Sequence, residues 1–303
     1  MPSYDLVDTF PAFLRSWREL RTMPPDRQVE AWRRDYLRPW PDLARVQIQT
    51  YRDARQDWRA VARRRVFPAL DARLPAMHRI RANLRTAFPV AVARCRAKFA
   101  LDFPPQFVIH VGIGTGAGWA TELRGRPTVL FGLENAAELG WTSPAAATAL
   151  VEHELSHLIH DQWRRRARAD RLRDPAGPWW RLYVEGFATR CEAVLGGESL
   201  PRSPSSHPSW SAWCRRNRAR LAARFLSATR RHGSVDRFFG SWWNIDGYVE
   251  TGYFLGAAVV EDWERGASLR EISTWSPARV RSRARASMVR LAAGNRPGRG
   301  PSP

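Results

Sequence analysis

The 303 residues can bury a sizeable core as one large domain or two, and 44% hydrophobic content with 15 Trp excludes an intrinsically disordered chain. Lys and Arg together number 49 against 29 Asp and Glu, for a formal net charge of +20. Lys98 is the one lysine, so arginine supplies nearly all of that charge.

Residues 4 to 100 read as a run of helices. Apolar residues recur at helical spacing in LVDTFPAFLRSWREL and in VQIQTYRDARQDWRAVARRRVF, and Pro24-Pro25, Pro39, Pro41, Pro68, Pro75 and Pro89 punctuate the run. The pattern changes at Pro104-Pro105. QFVIHVGIG (106–114) reads as a strand, TGAGWATELRGRP (115–127) as a Gly-rich connection, and TVLFGLE (128–134) as a second strand. The string GIGTGAG has no Gly-Lys-Ser/Thr ending and no clear helix after it. It is read as a hairpin or sheet-edge turn, not as a phosphate loop.

Ser143 suits a helix N-cap and Pro144 the first helical position, so a helix opens there. Residues 167 to 177 read as a loop. A second helix begins near Pro178 and stops at Gly196-Gly197. Residues 198 to 208 are Pro/Ser-rich and exposed. Helices follow at 209–231, 247–265 and 277–293, with a capping-box pattern at Ser268 and Glu271 and a second Ser-Pro start at Ser276-Pro277. The expected organisation is a helical N-terminal region (1–103), an α+β domain (104–293) and a disordered tail (294–303).

The stretch VEHELSHLIH (151–160) puts His153 and His157 four residues apart, with Glu154 after the first. On a helix such residues share a face, with Cβ atoms about 5–6 Å apart. Two imidazoles there can converge on one Zn²⁺. Glu154, rotated just aside, can reach a metal-bound water without displacing a ligand. Val151, Leu155, Leu158 and Ile159 cover the other side and would pack the helix on its back. A third histidine six residues past the second would fall at 163, which is Trp163, so that ligand arrangement is absent. His160 is read as a helix-surface residue or a neighbour of the ligands. Glu185, on the following helix, suits the third ligand of a His₂Glu set with one open position; it is also one acid among 29.

Four segments in the same order resemble the gluzincin metallopeptidases, nearest to the aminopeptidase N branch. FGLEN (131–135) resembles that family's Gly-x-Met-Glu-Asn strand, HELSH (153–157) its zinc helix, WWRLYVEGFATRCE (179–192) its third-ligand helix, and YFLGAAVV (253–260) its Tyr-x-x-Gly-Ala helix. A group of small bacterial predicted zinc proteases is similar too. The likeness spans roughly residues 105 to 265. It implies a mostly helical α+β zincin-like domain with a small sheet, binding one Zn²⁺ per chain through His153, His157 and Glu185. Glu154 would be the general base and Tyr253 the oxyanion donor, with Tyr248 in reserve. Glu192, two turns past Glu185, would hold a ligand imidazole by its outer N–H. Gly132 and Glu134 would meet substrate: Glu134 either grips a free amine or serves as a turn or cap residue. The strand 127–133 would pair with extended substrate, and Trp119, Phe131 and Trp141 would shape a side-chain pocket or the core. The chain departs from the family in its longer gap between His157 and Glu185, with an Arg-rich insert at 164–177. Val184 stands where the family has Asn, and no large β-rich N-terminal domain precedes the site.

The expected activity is zinc-dependent hydrolysis of peptide or protein substrates, aminopeptidase action being one form of it. The alternative is a non-catalytic basic module that binds nucleic acid or an acidic partner through its arginines. Arginine spread from Arg15 to Arg299 also fits a plain compositional bias. No window approaches about 18 uninterrupted apolar residues, so no membrane partner is expected. The opening MPSYDLVDTFPAFLRSW has no basic region followed by an apolar run, and three cysteines lack metal-knuckle spacing. Both point to a cytoplasmic protein with reduced, buried thiols.

Overall fold

The computed structural model describes residues 3–171, 174, 177–197, 209–231, 233–240 and 242–294. The described fold is mostly helical with one small mixed sheet, an α+β architecture. The chain forms two compact units, Met1–Leu158 and Ile159–Pro303, and the division falls inside one continuous helix. The expected Pro/Ser-rich stretch at 198–208 and, but for Gly294, the tail at 294–303 lie outside the described residues.

The first unit begins with a strand, β1 (Asp5–Asp8), in a stretch whose spacing reads as helix. Helix α1 (Phe10–Leu20) starts only after it, burying Phe10, Phe13, Trp17 and Leu20 at helical spacing. Four residues of extended chain carry too short a pattern to distinguish from a helical one. What makes them a strand is the partner: β1 pairs in parallel with β2 (Gln106–His110), Leu6 opposite Phe107. Helices α2 (Pro25–Ala31), α3 (Pro41–Asp53), α4 (Trp58–Val61) and the 30-residue α5 (Leu70–Phe99) complete the helical portion. Pro25 and Pro41 open their helices, as a missing N–H allows. Pro75 and Pro89 do not interrupt α5, contrary to expectation. Both sit on its exposed side, where a carbonyl that loses its helical partner can meet water, while Phe88, Ala91, Val92 and Cys95 bury the other side.

Two further strands finish the sheet: β3 (Gly118–Leu123) and β4 (Arg126–Gly132). They form a hairpin through Arg124 and Gly125, both at positive φ (51° and 74°), the conformation of a type I′ turn. The order is β1-β2-β4-β3, with β2 and β4 parallel and β3 antiparallel at the edge. The Gly-rich connection expected at 115–127 thus holds a strand, and the strand expected at 127–133 is internal. In the core, Phe88 of α5 stacks on Phe107 of β2, and both rings meet Phe131 of β4 at an angle. A short helix α6 (Leu133–Glu138) leads to α7 (Pro144–Arg166), whose first turn is capped by Ser143: the Ala146 N–H donates to Ser143 Oγ at 3.1 Å.

The second unit is helical. Helix α8 (Pro178–Gly196) ends at Gly197 in the left-handed region, as a C-terminal glycine should. Helices α9 (Trp210–Arg216) and α10 (Arg218–Arg230) divide at Asn217 the segment expected as one helix. Then come α11 (Thr251–Trp263), α12 (Leu269–Ser273) with the expected Ser268–Glu271 capping box, and α13 (Pro277–Ala293) with Ser276 as cap. Arg164 is fully buried. Its guanidinium donates to the carbonyls of Ala169, Ser273 and Trp275 and lies 4.8 Å from the Trp180 ring centroid. No helix among the described residues is long and apolar enough to cross a membrane. Cys95, Cys191 and Cys214 are buried.

Candidate metal centre

Helix α7 is held from behind. Val151, Leu155, Leu158 and Ile159 are 2% exposed or less, and the fully buried Glu152 receives Arg94 of α5 at 2.8 Å. A helix fixed on that side presents its other face in one orientation, which a preorganised site requires. On that face the Nε2 atoms of His153 and His157 stand 3.3 Å apart, with the rings near perpendicular. Two donors bound to a tetrahedral ion at about 2.0–2.1 Å each are separated by about 3.3–3.4 Å. The two nitrogens already hold that edge.

Glu185 of α8 completes the set. One ligand atom from each of His153, His157 and Glu185 lies within 4.8 Å of the others. Two neutral imidazoles and one carboxylate are a zinc-type donor set, and three protein ligands leave a fourth tetrahedral position. The donors present therefore fit the ion that the sequence implies.

Glu154 is 6% exposed, and its carboxylate lies against the edge strand. A Cβ placed on Gly118 would come within 2.6 Å of Glu154 Oε1 and 2.8 Å of its Cγ. A side chain at that position would push the Glu154 and Leu150 side chains aside, so glycine lets the edge strand pass the carboxylate without moving it. The sequence held the hairpin signal for it, in the Arg124-Gly125 turn between Trp-Ala-Thr-Glu-Leu and Arg-Pro-Thr-Val-Leu-Phe.

A second close approach lies within the second unit, between α8 and α11. Ideal Cβ atoms on Gly186 and Gly256 would lie 2.1 Å and 2.6 Å, respectively, from backbone carbon of the opposite glycine. Helices α8 and α11 therefore cross with their backbones in contact, next to Glu185. Tyr253 sits one turn before Gly256 on α11, its ring 6.0 Å from that of Phe239. Tyr248 lies before the helix, stacked on Trp213 at 4.0 Å, with its hydroxyl 3.2 Å from Ser209 Oγ. Of the two tyrosines, Tyr253 is the one on the helix that crosses α8 beside Glu185.

Gly132 and Glu134 are buried. Glu134 is 0% exposed, and its two oxygens accept the N–H groups of Gly112 (2.7 Å) and Gly114 (3.0 Å). Burial raises its pKa above the ordinary carboxyl value, with those two amides acting against the rise. Of the two readings of Glu134, this geometry favours the one in which it anchors a turn. Phe131 is core, while Trp119 and Trp141 are half-buried. His160 is not on the surface: its Nε2 is 2.8 Å from the Tyr183 hydroxyl and its ring packs on Phe187 at 4.8 Å. Glu192 is 6% exposed, two turns beyond Glu185 on α8.

Comparison of the chain with protein-family models, with curated proteins and with solved structures returns no match to any of them.

Proposed function

We propose that this protein is a zinc-dependent peptidase, with His153, His157 and Glu185 as ligands. The reading rests on one observation: donor atoms of two imidazoles and a carboxylate lie within 4.8 Å of one another beside a buried glutamate. A bound zinc would supply Lewis acidity, polarising a peptide carbonyl and lowering the pKa of a coordinated water toward about 7. The chain's own groups do the rest. Glu154 takes the proton of the attacking water and passes it to the leaving amine. Its low exposure limits competition from bulk water. Tyr253 donates its hydroxyl to the developing oxyanion, a role supported by its place beside the α8–α11 crossing.

Substrate enters in extended form along β3. The interior strand β4 has neighbours on both sides, whereas β3 has one and passes Glu154 at Gly118. A peptide added to β3 would carry its backbone past the general base. Because Glu134 is turned into the Gly112–Gly114 loop, the structure offers no separate support for grip on a free amine, and endopeptidase action is the simpler form of the proposal. The test is Glu154→Gln in a peptide-library digest. The variant keeps its metal and loses hydrolysis by about 10²–10⁴-fold, the usual worth of a general base. Hydrolysis at the wild-type rate in this variant would rule the mechanism out.

A further inference from the structure

Away from the metal centre, the second unit carries a groove of about 840 Å³, lined by Trp179 at the start of α8, Thr229 and Arg230 at the end of α10, and the outer face of α13. On α13 the lining runs Ala278, Ser282, Ala286 and Val289, at helical steps of four, four and three. These side chains are small or apolar, and Val289 is 52% exposed. The opposite face of α13 is the packed one, burying Val280, Ala284, Ser287 and Met288. The stripe is therefore surplus to the fold. Its rim is cationic, with Arg230 on one bank and Arg281 and Arg285 on the other. Arg281 pairs with Asp174 at 3.1 Å. Among the described residues Arg230 and Arg285 have no carboxylate partner, and α13 contains five arginines and no acid.

We infer that this groove binds an acidic amphipathic helix of a partner protein. From Ala278 to Val289 the groove extends about 16 Å, three turns of helix. Alanine and serine along its floor let a second helix approach at the usual spacing of about 8–10 Å, and Trp179 and Val289 offer apolar surface to that helix's anchors. Acidic residues beside the anchors meet Arg230 and Arg285. Charge selects this occupant over the chain's own residues 295–303, which include two arginines and no acid. A nucleic acid would need a basic track with several stacking rings, whereas the floor here is aliphatic with a single Trp. The inference does not depend on the metal centre.

The experiment is fluorescence anisotropy with the full chain and a labelled helical peptide whose leucines recur at i, i+4, i+7 and i+11 among glutamates. A scrambled peptide of the same composition and a single-stranded oligonucleotide are the comparisons. The amphipathic peptide binds at least tenfold more tightly than the scrambled one and loses affinity as salt rises. Arg230→Ala with Arg285→Ala weakens it at least tenfold. Ala286→Trp, which fills the groove and leaves every charge in place, does the same. All three positions are exposed, and unchanged thermal unfolding verifies that the variants fold. Equal binding of the scrambled peptide, or wild-type affinity in either variant, overturns the inference. So does an oligonucleotide that binds more tightly and is lost in the same variants, which would make the groove a nucleic-acid site.

Discussion

Gly256→Ala puts two physical effects in opposition. In a helix interior, exchanging Gly for Ala gains about 1 kcal/mol of propensity. At this position the added Cβ would lie 2.3 Å from the Leu182 carbonyl oxygen, 2.6 Å from Gly186 Cα and 2.9 Å from Gly186 N. All three are backbone atoms of α8, so no side chain can turn aside, and the helices must part by about 1 Å to restore ordinary contact. Overpacking of this kind costs about 1–3 kcal/mol or more. With backbone on both sides the cost falls at the upper end and outweighs the propensity gain. The net expectation is destabilisation by about 1–2 kcal/mol, which at about 2–4 °C per kcal/mol lowers the melting temperature by about 2–8 °C. Because the crossing adjoins Glu185, zinc affinity falls with it. Differential scanning fluorimetry with and without added zinc reads both. Gly266→Ala, where nothing lies within 4 Å of the new Cβ, is the control and stays within about 0.5 kcal/mol of wild type. A Gly256→Ala chain as stable as wild type, or more so, would refute the close crossing.

Tyr253→Phe lowers kcat by about 10²–10³ with little change in KM, because a donor to the oxyanion acts only in the transition state; Tyr248→Phe leaves kcat within a few-fold of wild type. Steady-state kinetics on one good peptide separates the two. The buried His110 gives a pH dependence of stability. Burial pushes its pKa from 6.5 down to about 3, so the unfolded chain binds a proton that the folded chain refuses. That makes stability fall as pH drops from about 6.5 toward 3, by about 1.4 kcal/mol per unit, or about 2–3 kcal/mol by pH 4.5. Denaturant titrations of wild type and His110→Leu across this window should show a shallower slope in the variant; parallel slopes would mean that His110 is protonated in the fold.

Local chemistry made much of the fold legible. Ser143, Ser268 and Ser276 cap helices where the sequence places caps, and Gly197 ends α8. What the sequence hid depends on partners distant in the chain. β1 is a strand because β2 lies beside it, and β3 because it folds back on β4; neither carries a long alternating pattern of its own. Pro75 and Pro89 signal breaks that α5 does not make, since each falls on the exposed side of a helix buried on the other. At the candidate site, helical spacing makes the His153–His157 pair legible, while Glu185 is one acid among 29 until the fold groups it with them. The glycines that permit the close approaches, Gly118 against Glu154 and Gly186 against Gly256, are not legible. A glycine looks the same in sequence whether it serves a turn, a cap or a contact between backbones. Glu134 shows the reverse case: its residue type invites a role with substrate, and its burial beneath two loop amides gives it structural work.

Metal content tests the proposed centre most directly. Purified wild type, loaded with zinc and dialysed, should retain about one zinc per chain by inductively coupled plasma mass spectrometry. Glu185→Ala should retain far less under the same dialysis while keeping its helical circular dichroism. Equal retention of zinc by the folded Glu185→Ala variant would contradict a centre in which α8 supplies the third ligand.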